Sequence, residues 1–135
     1  MSLQLIISYL LTVVVFFLID MIWLGVLAKD LYGNLLGHLM RDQINWGAAL
    51  FFYLLFIVGI FIFAILPAVE KERVGHAILM GALFGLFTYA TYELTNYATL
   101  KNWPIKLVII DILWGAILTC LVSTAGYYIN RYFTG

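Results

Sequence analysis

Four apolar runs, at about residues 4 to 28, 46 to 67, 76 to 100 and 105 to 129, constrain this chain more than any other feature. Each holds about 20 residues or more, and a helix of that length crosses a hydrocarbon core about 30 Å thick. Short charged segments separate the runs, which is the hydropathy pattern of an all-α, polytopic membrane protein with four transmembrane helices. Composition agrees, since 65% of the 135 residues are hydrophobic and only 10% are charged, where a soluble domain carries about a quarter. Residues 1–135 are therefore expected to form a single transmembrane domain whose solvent is the lipid bilayer. Seven Lys plus Arg balance seven Asp plus Glu, so no basic surplus points to nucleic acid. The single Cys120 lies inside an apolar run, which excludes an intrachain disulfide and a Cys-based metal motif and reads as a small packing residue. Val26-Leu27-Ala28 loosely resembles a cleavage site, but the run before it carries Asp20 and has no basic lead-in, so it is expected to stay as a helix.

Four spans put both ends of the sequence on one side, here side A, together with Glu70-Lys71-Glu72-Arg73. Side B holds the long connection from Lys29 to Asn45 and the tight turn Lys101-Asn102-Trp103-Pro104. Three basic residues on side A against four on side B leave the orientation open. In the long connection Leu31, Tyr32, Leu35, Leu36, Leu39, Met40 and Ile44 recur at helical spacing, with Asn34, His38, Arg41, Asp42 and Asn45 opposite. That pattern predicts an interfacial amphipathic helix between the first and second spans, with Gly33 and Gly37 weakening it.

Three acids fall inside spans: Asp20, Glu93 and Asp111. A charged Asp near a helix centre costs roughly 2.5 to 3.5 kcal/mol on insertion scales, so these acids are expected to face the bundle interior. A rise of about 1.5 Å per residue puts each roughly 6 to 9 Å from the midplane, and the directions of the helices bring all of them into the side B half. Trp23, Tyr53, Tyr92, Asn96 and Trp114 fall at or beyond the same level, with Trp46 and Trp103 at the boundary. Gly81, Gly85, Tyr89, Glu93 and Asn96 share one stripe of the third helix, and Asp111, Gly115, Thr119 and Ser123 one of the fourth. Small residues at this spacing let backbones approach, so the third and fourth helices are expected to form a hairpin with its carboxyls at the B end and Asp20 and Trp23 completing the site. The side A half reads as apolar packing.

No Lys or Arg lies at the depth of the acids, so three states are open. The carboxyls hold protons, or share protons and hydrogen bonds with Tyr, Trp and Asn, or bind a cation, with Arg41 or His38 reaching in. The bland alternative is a set of interhelical hydrogen bonds with no ligand. His38 with Asp20, Glu93 and Asp111 makes a mixed nitrogen and oxygen metal set on paper, yet no H-x-x-x-H or E-x-x-H spacing supports it. A lone His on a polar face is more often solvated. Asp20-x-x-Trp23 and Asp111-x-x-Trp114 repeat one spacing, but an in-plane twofold would carry one acid to side A, which argues against an inverted repeat.

Leu18-Ile19-Asp20-Met21-Ile22-Trp23-Leu24-Gly25, the run from Gly81 to Asn96 with its Tyr92-Glu93-Leu94-Thr95-Asn96 end, and Asp111-Ile112-Leu113-Trp114-Gly115 resemble the domain-of-unknown-function 2177 family of small bacterial membrane proteins. The resemblance extends over nearly the whole chain. It implies a multi-pass, four-helix protein of a bacterial inner (cytoplasmic) membrane and implies no activity or cofactor. The architecture is also similar to the small multidrug transporters, an analogy of fold alone.

The leading expectation is a small-molecule, cation or proton binding or transport site. Asp20, Glu93 and Asp111 would be its acceptors, Trp23, Tyr53, Tyr89 and Trp114 its walls, Tyr92 and Asn96 its orienting groups, and His38, Arg41 and Asn45 its lid. A path across the membrane would call for a homodimer, since four short helices enclose little volume. The alternatives are an intramembrane enzyme using a carboxyl pair on a lipid or other apolar substrate, and an accessory subunit whose polar cluster only fixes packing. An enzyme would lack an obvious nucleophile, since Ser123 and Thr119 have no His partner.

Overall fold

The computed structural model describes residues 2–40 and 42–134. Among these, four helices are long and apolar enough to cross a membrane: α1 (Leu3–Leu27), α3 (Trp46–Lys71), α4 (Val74–Thr99) and α5 (Ile105–Thr134). A short helix, α2 (Leu31–Leu36), lies between the first two spans. Local chemistry sets the ends. Ser2 accepts from the Leu5 N–H at 3.1 Å to start α1, and Asn45 accepts from the Ala48 N–H at 3.1 Å to start α3. Glu72, at φ 55°, ends α3 in the left-handed region. Pro104 precedes α5, whose Val108 N–H bonds the Pro104 carbonyl at 3.2 Å.

Helix α5 is the central element. Leu107, Val108, Asp111, Trp114, Gly115, Leu118, Thr119, Val122, Ser123, Gly126, Tyr127 and Asn130 form its buried face, while Ile109, Leu113, Ile117 and Leu121 look out. Lipid tails are as apolar as these outward residues, so the bundle is held by close packing and internal hydrogen bonds rather than by removal of apolar surface from water. The closest packing is between α4 and α5. A Cβ built on Gly85 would lie 2.7 Å from both the Gly115 carbonyl carbon and the Thr119 hydroxyl, and one on Gly81 would lie 2.8 Å from the Thr119 carbonyl oxygen. The two small-residue stripes therefore meet as expected, at distances that admit only glycine.

Helix α1 packs on the other side of α5 through Ser8, Thr12, Phe16 and Asp20, one residue per turn. Phe16, Ile57, Ile60, Phe61, Ile65, Leu118 and Val122 fill the space among α1, α3 and α5. Two spans contain a turn of π-helix, at Trp23–Leu27 and Phe61–Ile65. The second ends two residues before Pro67, whose ring displaces a backbone hydrogen bond of the preceding turn. The backbones of α3 and α4 come together at Phe61–Ile65 and the turn after it, whereas earlier in α3 the contact is by side chains, with Phe56 stacked on Phe84 at 5.3 Å and edge-on to Tyr89 at 6.3 Å.

Two expectations need correction. The stripe from Leu31 to Ile44 does not make one helix, because α2 stops at Leu36 and a single 3-10 turn, Gly37–Leu39, follows at the weak glycine. Its apolar face packs on Trp103, Leu107 and Val108 of the bundle, while Leu39, Met40 and Ile44 are exposed. The side A half is not purely apolar either. Ser8, Thr12 and Asn130 are buried there, and the Asn130 side-chain amide donates to the Ser8 hydroxyl at 3.2 Å.

Candidate functional site

The three membrane carboxyls are buried, with 5% of Asp20, 2% of Glu93 and 8% of Asp111 exposed. Each continues a helical stripe that packing has already turned inward. Asp20 is one turn past Phe16 on α1, Glu93 two turns past Gly85 on α4, and Asp111 one turn before Gly115 on α5. Their common level along the bundle follows from the 1.5 Å rise and 3.6-residue period of a regular helix.

Around them the aromatic donors form a chain of hydrogen bonds. The Trp23 indole N–H donates to the Tyr32 hydroxyl at 2.9 Å, and Tyr32 donates to Asp111 Oδ1 at 2.8 Å. On the far side, the Trp103 N–H donates to Glu93 Oε1 at 2.9 Å. Glu93 stands beside Asp111, and two adjacent carboxyls can hydrogen-bond to each other only if one of them carries a proton. Asp20 lies near Tyr53 and Trp114. Trp23 and Trp114 stack with centroids 4.4 Å apart and planes 8° from parallel, which locks α1 against α5 at this level. Burial, and then the neighbouring Asp111 charge, hold the Tyr32 phenol above its ordinary pKa, so it remains a donor to the carboxylate.

Two hollows flank Asp111. One, of about 220 Å³, is lined by Asp20, Trp23, Leu24, Tyr32, Tyr53, Tyr89, Asp111 and Trp114. Among the described residues no Lys, Arg or His lines it. The other, of about 430 Å³, lies between α3 and α4 and is lined by Phe52, Phe56, Thr88, Tyr89, Tyr92 and Asp111. A third hollow, of about 390 Å³, lies between α1 and α3 toward side A and has only Tyr9 among its aliphatic and aromatic lining to offer a polar atom.

The structure gathers Asp20, Trp23, Tyr53, Tyr89, Asp111 and Trp114 around one hollow and sets Glu93 just behind Asp111. Tyr92 is half exposed, packs edge-on against Trp103 at 6.0 Å and lies one turn before Asn96, so this pair forms an outer layer beside Glu93. His38 is exposed and lines none of the three hollows, Asn45 is occupied in capping α3, and Arg41 lies outside the described residues. The mixed metal set fails, since among the described residues no group of three or more His, Cys, Asp or Glu side chains stands close enough to hold a metal ion.

Tyr32 and Trp103 are the residues that sequence reasoning missed. Tyr32 read as one more member of an apolar stripe, and only its position on a helix that turns back over α5 brings its hydroxyl to Asp111. Trp103 read as a boundary aromatic. Its position ten residues after Glu93, across a tight turn, was the signal that could have found it.

Residues 5–128 match the family described as predicted membrane protein (DUF2177), and the chain belongs to that family. No curated protein and no solved structure matches the chain.

Proposed function

We propose that this member of the family binds a small organic cation in the hollow on side B and exchanges it for protons across the membrane. One observation carries the reading: among the described residues, the 220 Å³ hollow is lined by two carboxyls and five Trp or Tyr rings with no basic group. Carboxylates and ring faces both attract positive charge, and a desolvated cation over an indole or phenol gains about 2 kcal/mol or more per ring. An anion would meet the like charge of Asp20 and Asp111, and a purely apolar molecule would leave their lone pairs facing it.

The residues divide the work. Asp20 and Asp111 accept the cation from opposite walls, with Tyr53 and Trp114 orienting the first and Tyr32 the second. Glu93 stands beside Asp111 outside the hollow and is itself held by Trp103. A cation beside Asp111 favours its ionised form, and the proton shared by the pair then remains with Glu93. Binding and proton movement are coupled through that one carboxyl. In this reading the working membrane is a bacterial inner (cytoplasmic) membrane, and a second copy of the chain completes the route to side A. Enzymatic use of the site fits less well, because Thr119 and Ser123 are packed against Gly81 and Gly85 and line neither hollow beside Asp111.

The test uses tetramethylammonium as the probe and the Trp23 and Trp114 pair as the reporter. Saturable change in tryptophan fluorescence is expected in purified protein, weakened at least tenfold in Asp111→Asn. Absence of saturable binding would reject the cation reading. In proteoliposomes, Glu93→Gln should retain binding but lose proton-driven accumulation; accumulation equal to wild type would remove Glu93 from the coupling.

A further inference from the structure

The hollow between α3 and α4 has a composition that the proposed cation box does not explain. Phe52, Phe56, Thr88, Tyr89 and Tyr92 give it an almost wholly apolar wall, yet Asp111 stands at its back. It is nearly twice the volume of the box, about 430 Å³ against about 220 Å³. The two hollows share Asp111 and Tyr89 as their common wall. Thr88 adds no polarity, because its hydroxyl is turned back onto the Phe84 carbonyl at 2.7 Å. The groove lies between Phe52 and Phe56 of α3 and Thr88, Tyr89 and Tyr92 of α4, all within membrane-spanning helices rather than in a connecting loop. Phe52 and Tyr92, at its edges, are each more than half exposed.

A groove of this kind holds a chain, and a carboxyl at its inner end holds the charge at the end of that chain. We propose that the ligand is a cationic amphiphile, an alkyl or aryl chain carrying an ammonium head, that enters sideways from the bilayer between α3 and α4. The head reaches Asp111 and the aromatic box while the tail stays in the groove. This rests on the cation reading above and narrows it to a substrate class. The charge fits because Asp111 is the one ionisable carboxyl in the groove. The lateral route fits because a tail already dissolved among acyl chains enters an apolar groove without first crossing water. Tyr89, at the boundary of both hollows, is the residue whose ring must shift for head and tail to be accommodated together.

The experiment compares tetramethyl-, butyltrimethyl- and octyltrimethylammonium on purified protein in one detergent, below the aggregation range of the longest probe. Wild type should bind the octyl compound at least tenfold more tightly than the tetramethyl compound. Thr88→Trp fills the groove without touching the box, so it should bind tetramethylammonium as wild type does and lose most of the gain from chain length. Thr88→Val, which keeps the volume and drops the hydroxyl, should behave as wild type and shows that the loss comes from filling. An equal chain-length gain in Thr88→Trp and wild type would mean that detergent partitioning drives it, and would overturn the amphiphile assignment while leaving the cation box standing. If tetramethylammonium itself fails to bind wild type, the cation reading falls and the amphiphile falls with it. Should Thr88→Trp melt far below wild type, Phe52→Ala, which enlarges the groove from its rim, replaces it and should shift the preferred chain to greater length; an unchanged preference would overturn the proposal.

Discussion

The two halves of the bundle bury polar side chains in different company. Toward side A, Ser8 and Asn130 are neutral, buried, and bonded to each other across α1 and α5. Toward side B, three acids meet indole and phenol donors beside two hollows. A neutral hydroxyl and amide can satisfy each other without outside help, so such a pair is complete as packing. Carboxyls bordering open volume with no basic partner are complete only with protons or a cation. The comparison separates polar groups that build the bundle from those that wait for something.

That separation can be broken by variants that exchange the two behaviours. The largest loss is expected from Gly85→Leu in the α4 and α5 seam, where the new side chain meets Gly115 and Thr119. Overpacking of about 3 kcal/mol or more should lower the thermal midpoint in detergent and reduce folded yield. Asn130→Leu strands the Ser8 hydroxyl and should cost about 1 to 3 kcal/mol in the same melt, with tetramethylammonium binding unchanged. Asp111→Asn should do the opposite, losing binding while holding or raising the midpoint, because an uncompensated buried charge is removed. A melt in which Asp111→Asn collapses and Asn130→Leu does not would reverse the assignment of the two halves.

Smaller effects sharpen it. Tyr32→Phe removes both the donor to Asp111 and the acceptor of Trp23, and about 1 kcal/mol of stability with a severalfold drop in cation affinity is expected from paired melts and titrations. Asn45→Ala should cost about 1 kcal/mol through the lost α3 cap and leave affinity alone, whereas a lid residue would change affinity first. His38→Ala is expected to move neither reading.

Spans, hairpin stripes and the common level of the acids could all be read from the chain, because each follows from helix length and period alone. The apolar runs predicted α1, α3, α4 and α5, and Gly81, Gly85 and Gly115 predicted which faces would touch. What escaped reading depends on where the chain goes between helices. Tyr32 and Trp103 became donors through the fold of the connecting segments, for which apolar periodicity says nothing about a hydroxyl or an N–H. Ser8 and Asn130 escaped for another reason: they lie 122 positions apart, and a lone Ser in an apolar run scarcely changes its hydropathy.

Those sequence separations also set an order of assembly. Glu93 receives its N–H from Trp103, ten positions on and across a single turn, so the hairpin of α4 and α5 carries the donor for its own acid. It can enter the bilayer as a unit with that acid already bonded. The Ser8 and Asn130 bond spans nearly the full chain and forms only when α5 has followed α1 into the membrane. Asp20, which shares a hollow with Trp114, and Ser8, bonded to Asn130, thus depend on the same later helix, and α5 closes both levels of α1 at once.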